Sequence, residues 1–232
     1  MLDVKEEQKF KRLRELGQEL HIPIPEAFLT LEVFDKDGKL IQRQHQRSHS
    51  WVRNAYNILL CQMTGIDFND AGYGAGIISL TDWHANVRQM DKAAGFSSTA
   101  IIENPGVGMR AAAAEDTIGI VVGSGVNAES FEDSTLQTPI VEGGGGGQLN
   151  YTAMDAPGKS YAGLVFTVEW IRYINNNSGG NVNVNEVALV ASDVSPGAYD
   201  IVYSRDHLAS TVTVPDTGQL KVTYTIQLTY PS

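Results

Sequence analysis

The stretch Gly123-Ser-Gly-Val-Asn-Ala128 has the G-x-G-x-x-A spacing of a dinucleotide-binding turn and follows a short apolar run, Ile118 to Val122. Such a turn holds a pyrophosphate only when a helix begins there and aims its N-terminus at the phosphates. Here Glu129-Ser-Phe-Glu-Asp133 follows, whose acids repel a pyrophosphate, and no βαβ pattern surrounds it. The glycine run from Gly143 to Gly147 lacks the Lys-Ser/Thr of a P-loop and reads as a surface loop. His45 and His49 have i, i+4 spacing, which on a helix would turn two imidazoles toward one metal. The intervening Gln-Arg-Ser lacks a metalloprotease glutamate and the segment leads out of a strand, so locally hydrogen-bonded or exposed histidines are expected. His21, His84 and His207 stand apart from these. Arg205, Asp206 and His207 are adjacent, so on a strand their side chains diverge. No G-x-S-x-G elbow is present and no carboxylate pair stands out as acid and base. No catalytic residue, no cofactor and no metal site are expected, and the chain is not read as an enzyme.

Charge narrows the partners. The chain has 232 residues and a formal net charge of -10, from 17 basic and 27 acidic residues. Beyond Arg110 only Lys159, Arg172, Arg205 and Lys221 are basic, against 13 acids. A nucleic-acid binder needs a basic stripe to displace counterions from phosphates, and an acidic body repels both nucleic acid and anionic lipid heads. No stretch approaches the roughly 20 apolar residues that cross a bilayer. The charged N-terminus lacks the apolar core of a signal peptide. One cysteine, Cys61, excludes an internal disulfide framework and reads as a small buried hydrophobe. A soluble cytoplasmic product is predicted, with no nucleic-acid or membrane partner.

The elements that must position any site are mostly strands. Residues 4 to 20 are predicted to form an amphipathic helix, with Phe10, Leu13, Leu16 and Leu20 on one face and Gly17 weakening its end. His21-Ile-Pro-Ile-Pro25 stops it. A helix this short is marginal alone, so its stripe must dock, either on its own domain or on a neighbouring subunit. Phe10, Leu13, Leu16 and Leu20 are therefore the candidate subunit interface. Phe28 to Phe34 alternates as a strand, and Asp37-Gly38 predicts a type I′ hairpin rather than a calcium loop. Ser50 would cap a second helix over about 51–64 whose face of Val52, Tyr56, Leu59, Leu60 and Met63 is wide enough for a core. Residues from about 66 to 116 read as loops.

From Thr117 onward short strands alternate with polar turns: Ile118 to Val122, Leu164 to Asn175, Val182 to Val190, Tyr199 to Ser204 and Thr211 to Val214. The closing strand is the most regular, with Leu220, Val222, Tyr224, Ile226, Leu228 and Tyr230 facing one way. The pattern predicts a mainly β fold, an antiparallel β-sandwich with N-terminal helices. Residues 1–22 form a helical arm and residues 23–232 one sandwich domain with an inserted helix and the loop-rich region.

The C-terminal third carries Asn175-Asn-Asn-Ser-Gly-Gly-Asn-Val-Asn-Val-Asn-Glu-Val-Ala-Leu189, then Ser204-Arg-Asp-His-Leu-Ala209, then Val212-Thr-Val-Pro-Asp-Thr-Gly-Gln-Leu-Lys-Val-Thr-Tyr-Thr-Ile226. This series resembles a module that recurs in tailed-bacteriophage virion proteins. Ser48-His-Ser-Trp-Val-Arg-Asn-Ala-Tyr-Asn57 is similar to a helix upstream in such proteins, so the resemblance covers about half of the chain. Family members more often have Gly where Ala188 stands, a departure that bears on strand packing. The resemblance implies a non-enzymatic structural subunit of the virion, in a tail, baseplate or neck or decorating the capsid. Its partners would be copies of itself and other virion proteins, and it would be made in the host cytoplasm. One rival is a carbohydrate- or receptor-binding β-sandwich, with Trp51, Trp83 or Trp170 stacking on sugar; an exposed Trp83 beside Asp82 and His84 would favour it. The other is a hydrolase with residues on the loops of 66 to 110.

Overall fold

The computed structural model describes residues 4–48, 50–64, 80–88, 108–192 and 199–231. Among the described residues there are two helices, α1 (Val4–Leu20) and α2 (Arg53–Thr64). The strands are β1 (Ile24–Phe34), β2 (Leu40–Ser48), β3 (Leu80–Thr81), β4 (Val87–Arg88), β5 (Gly119–Gly123) and β6 (Asn150–Tyr151). They continue with β7 (Gly158–Ala162), β8 (Val165–Asn175), β9 (Val182–Ser192), β10 (Asp200–Val214) and β11 (Gln219–Thr229). His49 and residues 66–79 and 89–107 of the loop-rich stretch lie outside the described residues, and Cys61 falls on α2.

Alternation builds the first sheet, ordered β2-β1-β11-β8 with β6 and β7 both paired to the far edge of β8. Its antiparallel registers set Leu29 beside Tyr224 and Trp170, Leu31 beside Val222 and Arg172, and Val33 beside Leu220 and Ile174. These rows face a second sheet, β10-β9-β5, whose Ile120, Val122, Val184, Val187, Leu189 and Val212 join them in one buried cluster. The architecture is therefore the mainly β, antiparallel sandwich that the period-two pattern predicts. The stretches Tyr199 to Ser204 and Thr211 to Val214, expected as separate strands, form the single strand β10, which slips register against β9 between His207 and Val212.

The other edge of β10 is met by a strand whose inward face is polar. Gln42, Gln44 and Gln46 of β2 alternate toward β10. Gln46 donates to His207 O at 3.0 Å and accepts from Ala209 N at 3.0 Å. Gln42 does the same with Thr211 O at 2.9 Å and Thr213 N at 3.1 Å. Each side-chain amide thus offers the open edge of β10 a donor and an acceptor, as the peptide group of a neighbouring strand would, and the Gln44 amide lies 2.7 Å from Ser210 Oγ. Buried backbone groups must be paired, and a glutamine has one donor and one acceptor end for the purpose.

The hairpin between β1 and β2 differs from the expected turn type. Gly38 N donates to Asp35 O, Asp35 N donates to Lys39 O, and Gly38 has the positive φ, +76°. This is a type I turn closed by a glycine bulge, selected because Asp35 Oδ1 accepts the N–H groups of Asp37 and Lys39.

The second helix also departs from expectation. Ser50 does not cap it; its hydroxyl donates to Glu129 Oε1 at 2.9 Å, and the first helical N–H, that of Arg53, goes to Phe131 O. Val52, Ala55 and Ile58 are buried, whereas Tyr56, Leu59, Leu60 and Met63 are exposed. Helix α2 lies on the rim of the second sheet, with Val52 packed beside Val202 and Ile58 beside Ile201 and Leu80. Only a narrow side of it is covered there.

Within the core, Arg172 is fully buried, and its hydrogen bonds go to backbone carbonyls. Its guanidinium donates to the carbonyls of Thr152, Ile118, Ile120, Ala112 and Glu115 and lies 4.7 Å from the Tyr151 ring centre. Burial lowers its pKa to about 10, so it stays charged at neutral pH. Arg172→Met leaves those carbonyls buried without a donor, and a loss of at least about 3 kcal/mol is expected. Urea unfolding measures it; a shift within about 0.5 kcal/mol, typical of a surface substitution, would refute the tie.

Candidate functional site

Helix α1 ends in a Schellman arrangement. His21 takes φ +56°, Ile22 N donates to Gly17 O and His21 N donates to Gln18 O. The turn brings the chain back so that β1 runs beneath the helix. Gly17 is the point of closest approach: a Cβ there would sit 2.5 Å from Ile24 Cγ1. Its absence of side chain is thus a packing requirement rather than the helix weakness expected of it.

The helix is held by charge. Glu26 of β1 and Arg47 of β2 are buried, and the two side chains form an ion pair with each other. Arg47 Nε donates to Glu7 at 2.8 Å, and Arg14 donates to both oxygens of Glu26 at 2.8 Å. Two acids and two bases therefore close a neutral quartet spanning α1, β1 and β2. The Arg47 guanidinium lies 3.9 Å from the Phe10 ring centre and 4.7 Å from that of Phe28, so both aromatic rings cover it. Gln18 Nε2 adds a bond to Tyr230 O at 3.0 Å.

This geometry divides the candidate interface. Phe10 points inward and is half-buried, while Leu13, Leu16 and Leu20 are 43%, 42% and 61% exposed. Of the two docking modes the sequence left open, the helix does dock on its own domain, but through Glu7, Phe10, Arg14, Gly17 and Gln18. The leucines are left facing outward.

Several other sequence candidates are absorbed by the fold, whereas His21 and His84 are exposed. In the G-x-G-x-x-A stretch the backbone embraces a carboxylate, but the protein's own: Glu186 accepts from the N–H groups of Gly125, Gln137 and Thr138. A Cβ at Gly123 or Gly125 would meet Glu186 Oε1 at 2.4 or 2.5 Å. Arg205 completes the knot, donating to Glu186, Asp133 and the carbonyls of Asn127 and Ala128. Asp206 points the other way, accepting from Ser48 Oγ at 2.8 Å; Ser48 Oγ lies 2.5 Å from Tyr224 Oη, and all three residues are buried. Burial, with Asp206 nearby, pushes the Tyr224 phenol well above its ordinary pKa.

His45 shares a hydrogen bond with Thr30 Oγ1 at 2.8 Å and stacks on Phe28; burial, with Arg43 and Arg47 beside it, lowers its pKa, so it is neutral at pH 7. Asp82 is buried beneath the β3–β4 turn. Burial opposes its charge, yet the donors of Asn86 and Arg88 hold its carboxyl below the usual range. Trp83 is half-buried against the second core cluster, Trp51 packs against the first, and Trp170 is buried. Among the described residues no group of three or more His, Cys, Asp or Glu is placed to hold a metal, and no helix is long and apolar enough to cross a membrane.

Arg47 carries the docking of α1, so Arg47→Met leaves Glu26 and Glu7 without their shared base. Breaking a buried pair in this way costs about 3 to 5 kcal/mol. Hydrogen exchange is expected to show α1 losing protection before the sheets do; α1 retaining its protection would contradict the role assigned to the quartet.

No protein-family model, no curated protein and no solved structure matches the chain.

Proposed function

We propose that the chain is a non-enzymatic structural subunit of a tailed-phage virion, and that it assembles with copies of itself through the outer face of α1. One observation carries the reading: Leu13, Leu16 and Leu20 are exposed on a helix whose other side is fixed by the buried Glu26–Arg47 pair. Three leucines on an immobilised surface keep their apolar area in water unless another molecule covers it. The resemblance of the C-terminal strands and of the 48–57 segment to phage virion proteins supplies the context. Tail, baseplate, neck and capsid decoration are all places where such a subunit would meet its own kind.

Charge around the stripe fits a second copy running antiparallel. Lys9 and Arg12 are exposed toward the N-terminal end of the stripe and Glu19 toward its C-terminal end. With two helices antiparallel and centred on Leu16, Leu13 of one copy meets Leu20 of the other. Arg12 then falls beside Glu19 of the other copy on the same flank. The tryptophans that a sugar-binding module would use are packed in the core or half-buried, which removes the support that an exposed Trp83 would have lent it.

Sedimentation velocity of three surface variants tests the contact. Leu16→Glu and Arg12→Glu are expected to shift the protein toward monomer, and Arg12→Glu combined with Glu19→Arg to restore association. Helix content should hold throughout, since Leu16, Arg12 and Glu19 are all exposed. Variants sedimenting like the parent, or a double variant no better than Arg12→Glu, would refute the antiparallel contact.

A further inference from the structure

A groove of about 530 Å³ opens at the end of the first sheet remote from α1. The helix sits over Ile24 and Tyr230, whereas the groove begins where Phe34 pairs with Gln219 at the other end of β1 and β11. Three turns wall it, and the two that follow β8 and β10 are pinned together. Asn176 is buried; its Nδ2 donates to Gly180 O at 2.7 Å and to Val214 O at 2.8 Å, and its backbone pairs with Gly218 and Thr217. Gly179 N donates to Asp216 Oδ1 at 2.9 Å across the same junction. A site built this way pays little ordering entropy on binding.

Its lining is amide-rich. Asn175 and Gln219 stand opposite each other on β8 and β11, and Gln219 Nε2 donates to Asn175 Oδ1 at 2.8 Å. Asn177 Nδ2 donates to Asn150 Oδ1 at 2.8 Å. These bonds use one end of each groove amide. Asn175 Nδ2 is left as a donor, and Gln219 Oε1 and Asn177 Oδ1 as acceptors, with no partner among the described residues. Tyr173, the neighbour of Lys221 in register, presents an exposed ring to the same space. The two lysines that border the groove are already paired: Lys221 with Glu32 at 3.3 Å and Lys36 with Asp37 at 3.6 Å.

Unspent donors and acceptors, a flat ring and neutralised charge specify the ligand's chemistry. The acids Glu32, Asp35 and Asp37 leave the groove no excess of positive charge to draw an anion, and an apolar ligand would strand the amides. A ligand carrying hydroxyls that both donate and accept, with an apolar C–H face for the ring, meets each group. We propose that this groove binds a neutral oligosaccharide, at a site separate from the α1 surface and independent of the tryptophans.

Amide NMR titration of the full chain with maltotriose, cellotriose and triacetylchitotriose tests it. At least one trisaccharide is expected to shift the Tyr173, Asn175, Asn177 and Gln219 signals in a saturable way. Tyr173→Ala is expected to weaken binding about tenfold, by removing the stacking ring, while Tyr173→Phe, which keeps the ring, stays within about threefold. Asn177→Ala, an exposed change, should cost about fivefold by removing an acceptor. No saturable shift with any of the three sugars, shifts that map elsewhere, or binding unchanged in Tyr173→Ala would overturn the proposal.

Discussion

The placement of the first helix depends on the buried ion pair between Glu26 and Arg47. A charge removed from water must be met by opposite charge and hydrogen bonds, or the fold bears an uncompensated cost of several kcal/mol. Neighbouring strands supply one acid and one base, each with further hydrogen-bonding capacity. Glu7 and Arg14 of the first helix complete that demand. Once they turn inward, helical geometry leaves Leu13, Leu16 and Leu20 on the opposite side. The proposed assembly surface is thus a consequence of how buried charge is satisfied.

The same rule governs the rest of the interior. Arg172 gathers carbonyls from β5 and the loop before it and so ties the two sheets together. Glu186 is wrapped by backbone N–H groups and Arg205, which fixes the course of residues 123 to 138. The glutamines of β2 carry strand-like pairing across to β10. The Gly123–Ala128 backbone that suggested a nucleotide turn, and the Arg205 and Asp206 side chains, are occupied in this internal pairing. The amides at the far end of the first sheet differ, because half of each faces the open groove.

The sandwich was legible because alternation is a local property: Leu220, Val222 and Tyr224 repeat every second residue, and burial follows. The helix positions were legible for a similar reason, but the faces were not. Spacing along α1 groups Phe10 with the leucines, whereas the face that docks contains Glu7, Arg14 and Gly17. Their partners, Arg47 and Glu26, come from elements distant in sequence, and local hydropathy counts such residues as solvent-facing. For α2 the apolar face exceeded the area that the rim of the sheet covers. The alternation of Gln42, Gln44 and Gln46 was a usable signal for an inward-facing polar edge, visible only if glutamine is read as a surrogate peptide. The amide-lined groove left little trace in the sequence, since it forms where Phe34, Tyr173 and Gln219 meet from three strands.

The central claim is that the outer face of α1 is covered by a second copy. Light scattering of the unaltered full chain over a wide concentration range tests it most directly, because removing residues 1–22 would strip Arg47 and Glu26 of their partners. The account predicts a mass rising from that of a 25.2 kDa chain to a defined multiple of it. A mass that stays at one chain up to the limit of solubility would contradict it.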